Sequence, residues 1–349
     1  MASLTSSILL QEARLAVDPI RAREVHLARR PGASLQTEDF ALREKVLPPL
    51  AEGQFLIRNR YLSIDPVRRV FFSNGTAPLN AGLHSFALGE VVASRHPLHA
   101  VGDTVSHYGG LRDFAVSDGS EVRRIPLNGE PFHWHADALG IGGFFAYTGL
   151  LEVARARPGE TVFVSSAAGS VGSLATQLAR LIGCRVIASA GSDAKRDWLA
   201  EVAGAHVAIN YRAENLSDAL ACAAPEGIDV YFDNVGGDHL DAALEHINSH
   251  GRVAICGMVS AYDSATQFGE RAGAWTWKMM TGQVEIRSYQ ARDYMRLWPA
   301  FQRSIGTWLR EGAIRSETRL LPGLESVPQA FVDLLAGNAM GKTLVEIPA

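Results

Sequence analysis

The residues whose spacing speaks most directly of chemistry are Thr161-Val-Phe-Val-Ser-Ser-Ala-Ala-Gly-Ser-Val-Gly172, a buried-strand pattern that passes through a glycine turn into an apolar-periodic helix. That context makes a short glycine pattern a dinucleotide-binding expectation. Gly169 is expected to permit the tight turn and a close backbone approach to pyrophosphate, and Gly172 to let the helix lie near the strand. Ser170 and Val171 stand where the free N–H groups of a first helical turn offer partial positive charge to phosphate. The fingerprint's first glycine is Ala167 here, so the pattern alone is no more specific than an ordinary strand-to-helix turn. The alternation of strands and helices around it supplies the specificity.

The next strand, Cys184 to Ala190, runs into Gly191-Ser-Asp-Ala-Lys-Arg196. An acid at the end of this strand would accept from an adenosine ribose and repel a 2′-phosphate. Asp193 falls close to that place, but Lys195 and Arg196 follow it. Asp193 is read as a helix cap or a first-turn acid and Lys195 as the phosphate-facing charge, which favours NADP over NAD. The alternative is that Lys195 and Arg196 are solvated helix residues.

The elements that must hold these groups fall into two textures. From about Arg21 to Ile125, short β-type runs such as Phe55–Ile64 and Ala87–Ser94 are separated by turn residues, as in a compact β-barrel-like domain. Beyond Ala136, strands and helices alternate with short connections, which specifies a parallel sheet covered by helices. A helix over 138–156, another over 294–311 and a last one over 327–337 are expected, and Gly341 to Ile347 reads as a strand that needs a host, with the first domain offering one.

Composition narrows the classes. A chain of 349 residues, 47% hydrophobic and 20% charged with 33 glycines, is globular and long enough for two domains. Thirty-three basic against 37 acidic residues give a net charge of −4 and no field to attract nucleic acid. No apolar stretch reaches the ~20 residues of a membrane span and no signal-peptide pattern opens the chain, so a cytoplasmic protein is expected. Cys184, Cys222 and Cys256 are too few and too scattered for a disulfide framework or a four-cysteine zinc site, and each is read as a small buried residue. The eleven histidines contain no HExxH, and His133 and His135 are read as structural, on one side of a strand. No metal site is expected.

Ala167-Ala-Gly-Ser-Val-Gly172, Gly191-Ser-Asp-Ala-Lys195, Asn210-Tyr211, Phe232-Asp-Asn-Val-Gly-Gly237 and Gly251-Arg-Val-Ala-Ile-Cys-Gly257 occur in that order. Leu62-Ser-Ile-Asp-Pro66, Arg69 and Gly341-Lys342-Thr343 flank them. Together these motifs resemble the zinc-independent medium-chain dehydrogenase/reductases of the leukotriene hydroxydehydrogenase/prostaglandin reductase type, which include plant alkenal double-bond reductases and bacterial curcumin reductases. The resemblance spans nearly the whole chain. It implies an α/β fold with a GroES-like β-rich domain at 1–138, completed by 313–349, and a Rossmann domain with a doubly wound parallel sheet at 139–312. It also implies NADPH in the cleft between them and a homodimer.

Matched by position, Gly169, Ser170, Val171 and Gly172 would cradle the pyrophosphate, and Lys195 and Tyr211 the 2′-phosphate. Asn234 and Cys256, Gly257, Met258, Val259, Ser260 and Tyr262 would line the ribose and nicotinamide. Ser288, Tyr289 and Gln290 align with a segment that contacts nicotinamide, although the residues differ. Three departures stand out: Val67 where the family has an aromatic after Asp-Pro, Phe145 in place of a small hydroxyl in Phe144-Phe-Ala-Tyr147, and Ala339 where an Asn is usual, with Asn338 one place earlier.

Without a metal to polarise a carbonyl, hydride transfer needs another acceptor of developing charge, and a conjugated enone provides it. Hydride adds to the β-carbon, charge spreads to the carbonyl oxygen, and a proton reaches the α-carbon. Tyr262 matches the family's tyrosine beside that oxygen, with ring packing at a pocket edge as its plainer reading. The expected activity is therefore NADPH-dependent reduction of the C=C bond of a small hydrophobic α,β-unsaturated ketone or aldehyde. A quinone or carbonyl reductase would be told apart by which bond is reduced. A sensor or structural protein would bind NADPH without turnover. The stretch 267–281, with Trp275, Trp277, Met279 and Met280, is read as a substrate cover or a dimer surface.

Overall fold

Short runs of β-branched and aromatic residues, broken by Gly, Asn and Asp turns, make the first part of the chain a β structure. A computed structural model describes residues 20–262 and 272–348. Within them, β1 (Ile20–Leu27) and β2 (Phe40–Leu47) form an antiparallel hairpin. Strands β3 (Phe55–Ser63), β4 (Ala87–Ser94), β5 (Thr104–His107), β6 (Phe114–Ser117) and β7 (Arg123–Arg124) build an antiparallel sheet in which β3 pairs with β4 and β6. A short helix, α1 (Arg68–Ser73), follows the Asp65-Pro66 turn.

His107 is buried in this sheet. It faces Asn59 Oδ1 through Nε2 at 2.8 Å, while Nδ1 accepts the Gly109 N–H at 3.0 Å, and burial pushes its pKa down to about 4. His133 and His135 are not on a strand as expected. They lie in the 3-10 turn Phe132–Ala136, where His135 meets Glu130 at 3.0 Å and His133 packs edge-on to Tyr61. Pro131, whose ring fixes its backbone, precedes the turn, and its carbonyl accepts the Trp134 N–H at 3.1 Å, which closes a 3-10 turn instead of extending a ladder.

The second part alternates as expected. Helix α2 (Ile141–Thr148) continues into a π turn, Gly149–Val153, and then come β8 (Thr161–Val164), α3 (Ser170–Leu181), β9 (Arg185–Ala190), α4 (Asp193–Glu201), β10 (Val207–Asn210) and α5 (Leu216–Ala223). They are followed by β11 (Ile228–Asp233), α6 (Gly237–His246), β12 (Ile247–Ile255), α7 (Ala272–Gly282), β13 (Glu285–Ser288) and α8 (Trp298–Arg310). Every pairing in this six-stranded sheet is parallel, in the order β10-β9-β8-β11-β12-β13. Chain direction across the sheet therefore reverses between β8 and β11, the topological switch point of a doubly wound sheet.

The chain ends with β14 (Thr318–Pro322), α9 (Val327–Leu335) and β15 (Lys342–Glu346), and β15 pairs antiparallel with β3 between β14 and β3 in the first sheet. One compact unit thus takes the described residues up to Ala136 with Arg319–Asn338 and Thr343 onward. The other is Asp137–Thr318 with Ala339–Lys342. In the first, Phe40, Phe72 and Phe331 pack ring against ring beside Leu27, Leu62 and Val345. In the second, Phe163 stacks on Tyr231 among Ile187, Leu220 and Val253.

Of the stretch 267–281, residues 267–271 lie outside the described residues. In α7 the Trp275 indole donates to Asp241 at 2.6 Å, while Met279 and Met280 are exposed. No helix among the described residues is long and apolar enough to cross a membrane.

Candidate functional site

The glycine loop joins β8 to α3. Its left-handed residue is Ser166, at φ 47°, whereas Gly169 caps the helix at φ −85°. The tight turn is thus made three residues earlier than Gly169, which contributes openness rather than a special backbone conformation. Gly172 behaves as expected, since a Cβ there would lie 2.3 Å from the Ser166 carbonyl oxygen and 2.8 Å from the Ala167 Cα. Only glycine lets the first turn of α3 press so closely on the loop. The first intrahelical bond of that turn runs from Ser173 N–H to the Gly169 carbonyl, so the N–H groups of Ser170, Val171 and Gly172 precede the helical ladder. The Ser170 hydroxyl itself is engaged, donating to Asp137 at 2.6 Å, and leaves backbone N–H as Ser170's means of holding an anion.

After β9, Ser192 is the N-cap of α4 and Asp193 its first residue, a first-turn acid. Asp193 Oδ1 is occupied by Asn210 Nδ2 and Arg196, each at 3.0 Å. Lys195 is half-buried on the same turn, and burial followed by the Arg212 guanidinium holds its pKa below the ordinary value. A Cβ at Gly191 would meet the Tyr211 hydroxyl at 2.8 Å and Arg212 Nε at 3.2 Å. Tyr211 and Arg212 therefore gather around Gly191, with Lys195 near enough to Arg212 to feel its charge. Arg212 was missed in the sequence because an arginine after Asn210-Tyr211 looks like one more solvated charge. Its proximity to Lys195 arises only when β10 aligns with β9.

The ends of β11 and β12 form the third group. Asp233 is buried, and its Oδ1 accepts from Tyr231 at 2.6 Å, Gly236 N–H at 2.8 Å and Val235 N–H at 2.9 Å. Burial nevertheless raises its pKa. Asn234 is tied back to the β8 end, with Nδ2 donating to the Ser165 carbonyl at 2.7 Å. The segment 256–262 is laced to this turn through Cys256 N–H to the Asp233 carbonyl at 2.8 Å, Val259 N–H to that of Asn234 at 3.2 Å, and Ser260 Oγ to that of Val235 at 2.6 Å.

Tyr262 closes the segment, half-buried, its hydroxyl 3.6 Å from where a Gly257 Cβ would stand. Burial raises its pKa, opposed by a hydrogen bond from the Met258 backbone. On the neighbouring strand, Ser288 pairs with Ile255, and Tyr289 is buried between exposed Ser288 and Gln290. Tyr289 donates to the Phe145 carbonyl at 2.7 Å, and its hydroxyl fills the space a Gly149 side chain would need. The π turn of α2 sits at this insertion. The glycine loop, Asn234, Cys256 to Tyr262 and Ser288 to Gln290 thus share the C-terminal edge of one parallel sheet, around its switch point.

Two family models match the chain, one described as N-terminal domain of oxidoreductase at residues 23–125 and one as zinc-binding dehydrogenase at residues 170–280. The NADPH-dependent curcumin reductase of Escherichia coli is 34% identical, with 94% of this chain and 97% of that protein aligned. Prostaglandin reductase 1 of Bos taurus is 33% identical over 88% of this chain and 94% of its own. The chain belongs to the medium-chain dehydrogenase/reductases of this type. A crystal structure of CurA in complex with NADPH from Vibrio vulnificus matches it with a TM-score of 0.89 at 32% identity, covering 94% of this chain and 99% of that one.

For a medium-chain dehydrogenase/reductase of this type, the three departures acquire places. Val67 is exposed at the head of α1. The Phe145 ring lies 5.6 Å from that of Tyr289, so the substituted ring and the Ser288–Gln290 segment are neighbours. Ala339 is buried in the second unit, whereas Asn338 bonds to the Asp333 carbonyl in the first. Cys256, beside Tyr289, is pushed up to about 12 by burial, and Cys184 up to about 11. Of the three cysteines expected to be buried, Cys184 is, whereas Cys256 retains partial surface exposure and Cys222 is exposed on the short helix α5. Among the described residues no three His, Cys, Asp or Glu side chains form a group that would hold a metal ion.

Proposed function

We propose that this reductase uses NADPH to reduce the C=C bond of small hydrophobic α,β-unsaturated ketones or aldehydes. The observation that carries the proposal is the convergence of the glycine loop, the Asn234 turn and Tyr262 on the carboxyl edge of β8, β11 and β12, where doubly wound sheets bind dinucleotides. The residues present fit the cofactor. Gly172 leaves no room for a side chain between α3 and the loop, as a phosphate cradle requires, and Lys195 and Arg212 bring two cations to one place beside a phenol. When bound, NADPH supplies the hydride.

The chain's own residues then have separate tasks. Backbone N–H groups of Ser170, Val171 and Gly172 hold the pyrophosphate, Lys195 and Tyr211 hold the 2′-phosphate, and Asn234 with Cys256 to Ser260 borders the ribose and nicotinamide, with Ser288 to Gln290 nearby. Tyr262 donates a hydrogen bond to the substrate's carbonyl oxygen as negative charge develops there. A phenol whose pKa burial raises stays protonated at neutral pH and remains a donor. The names of the Escherichia coli curcumin reductase and of the 2-alkenal reductase of Nicotiana tabacum, 32% identical, support this substrate class.

NADPH oxidation across a panel of enones, enals and quinones, with product analysis, tests the proposal. Saturated carbonyl products are expected, with Tyr262→Phe lowering kcat while leaving NADPH affinity intact. Allylic alcohols as products, or no oxidation with any of the panel, would overturn it. Metal-independent turnover belongs to the same proposal and predicts full activity after dialysis against a chelator. A homodimer and a cytoplasmic location complete the reading, to be checked by sedimentation and by localisation.

A further inference from the structure

A fully buried carboxyl lies behind the glycine loop. Asp137, 4% exposed, opens the second unit between Ala136 and Ala138-Leu139-Gly140. Its two oxygens accept from two hydroxyls, Oδ1 from Ser170 at 2.6 Å and Oδ2 from Ser316 at 2.7 Å, and its backbone carbonyl accepts from Gly140 and Gly143 N–H at 3.0 and 3.1 Å. Burying a carboxyl is costly unless each oxygen is satisfied, so two matched hydroxyl donors mark a built arrangement. A hydroxyl has one proton, and the Ser170 proton is spent on Asp137.

Each partner of Asp137 belongs to a segment that also grips α3 or the loop. Arg315, next to Ser316, exchanges two bonds with the Gln177 side chain on α3, at 2.7 and 3.0 Å. Glu317 accepts the Lys342 N–H at 2.8 Å, and the adjoining Gly341 donates to the Ala168 carbonyl inside the loop, also at 2.8 Å. Gly341 has φ +66° and a Cβ there would stand 2.0 Å from the Glu317 carbonyl oxygen, so this return fits closely.

We propose that Asp137 is a positioning residue for the pyrophosphate loop: by joining Ser170 to Ser316 it fixes the first turn of α3 so that the N–H groups of Ser170, Val171 and Gly172 are pre-aimed at the cofactor. The inference rests on the assignment of that loop to NADPH. Asp137 touches no ligand in this role. Its effect is the reorganisation that the loop would otherwise undergo on binding.

The test compares Asp137→Ala, Ser170→Ala, the double variant and Asp137→Asn, each checked by thermal unfolding, for affinity toward NADPH and toward adenosine 2′-monophosphate, which lacks the 5′-phosphate. Each alanine variant is expected to bind NADPH about tenfold or more weakly, because the loop must then be ordered on binding. The double variant should lose no more than the weaker single variant. Adenosine 2′-monophosphate affinity stays unchanged, and Asp137→Asn, which keeps one acceptor oxygen, recovers part of the loss. Unchanged NADPH affinity in Asp137→Ala, equal losses for the two ligands, or additive losses in the double variant overturn the role. A wild-type protein that binds no NADPH defeats the loop assignment instead, so the two failures are distinguishable.

Discussion

Lys195 is the residue at which the proposed 2′-phosphate site is tested. Burial and the Arg212 guanidinium both disfavour its charge, and a phosphate bound there would oppose them. Lys195→Ala should weaken NADPH binding by about 1.5–3 kcal/mol and leave NADH nearly untouched, in paired titrations of the two cofactors. Equal losses would move the phosphate elsewhere. At this scale the sequence offered candidates through motifs and resemblance: Lys195 stands in the run Gly191-Ser-Asp-Ala-Lys195, and Tyr262 is named by its match to the family's tyrosine. Asp137 and Arg212 did not announce themselves, because their surroundings are built by partners distant in the chain, such as Ser316 for Asp137 and Lys195 for Arg212. An acid inside the apolar run Ala136-Asp-Ala-Leu139 was the only trace of a buried carboxyl.

Helices and strands of the second unit were legible because each carries its own period and a parallel sheet must interpose a helix between strands. The hairpin β1–β2 was harder to find, since β2 exposes Arg43, Glu44 and Lys45 in succession and so reads as a loop. Helix α1, with six residues, is too short for a period to register. The turn after β8 was misassigned to Gly169 because glycine is the usual left-handed residue, whereas Ser166 adopts that conformation here. Gly172 was assigned correctly, and its substitution is the prediction for this scale. Gly172→Ala puts a methyl against backbone at both the Ser166 carbonyl and the Ala167 Cα. Forced separation of α3 from the loop should cost about 1–3 kcal/mol in urea denaturation and weaken NADPH binding with it. A variant as stable and as tightly binding as wild type would mean that the loop can yield.

Acid sensitivity belongs to the molecule as a whole, since each unit buries a neutral histidine, His107 in the first and His239 in the second, both pushed down to about 4 by burial. The unfolded chain takes up these protons near pH 6.5 and the folded one only near 4. Their stabilisation is therefore complete above about pH 6.5, is lost as pH falls through 4, and amounts to about 3 kcal/mol for each at most. Asp137 and Asp233, raised by burial, act in the opposite sense, but their effect cancels when two variants are compared at each pH. The stability difference between wild type and His107→Gln should thus shrink between pH 7 and pH 4 in denaturant titrations, and a constant difference would contradict the buried neutral state. The last stretch of chain links both units in another way. Residues 339–342 complete the glycine loop's surroundings, and Leu344 and Val345 lie buried in β15, inside the first sheet beside β3. Gly341 donates to the Ala168 carbonyl at 2.8 Å and β15 carries buried residues into the other sheet, so one short peptide serves both units. A single cleavage just before Gly341 would therefore leave both units deficient at once.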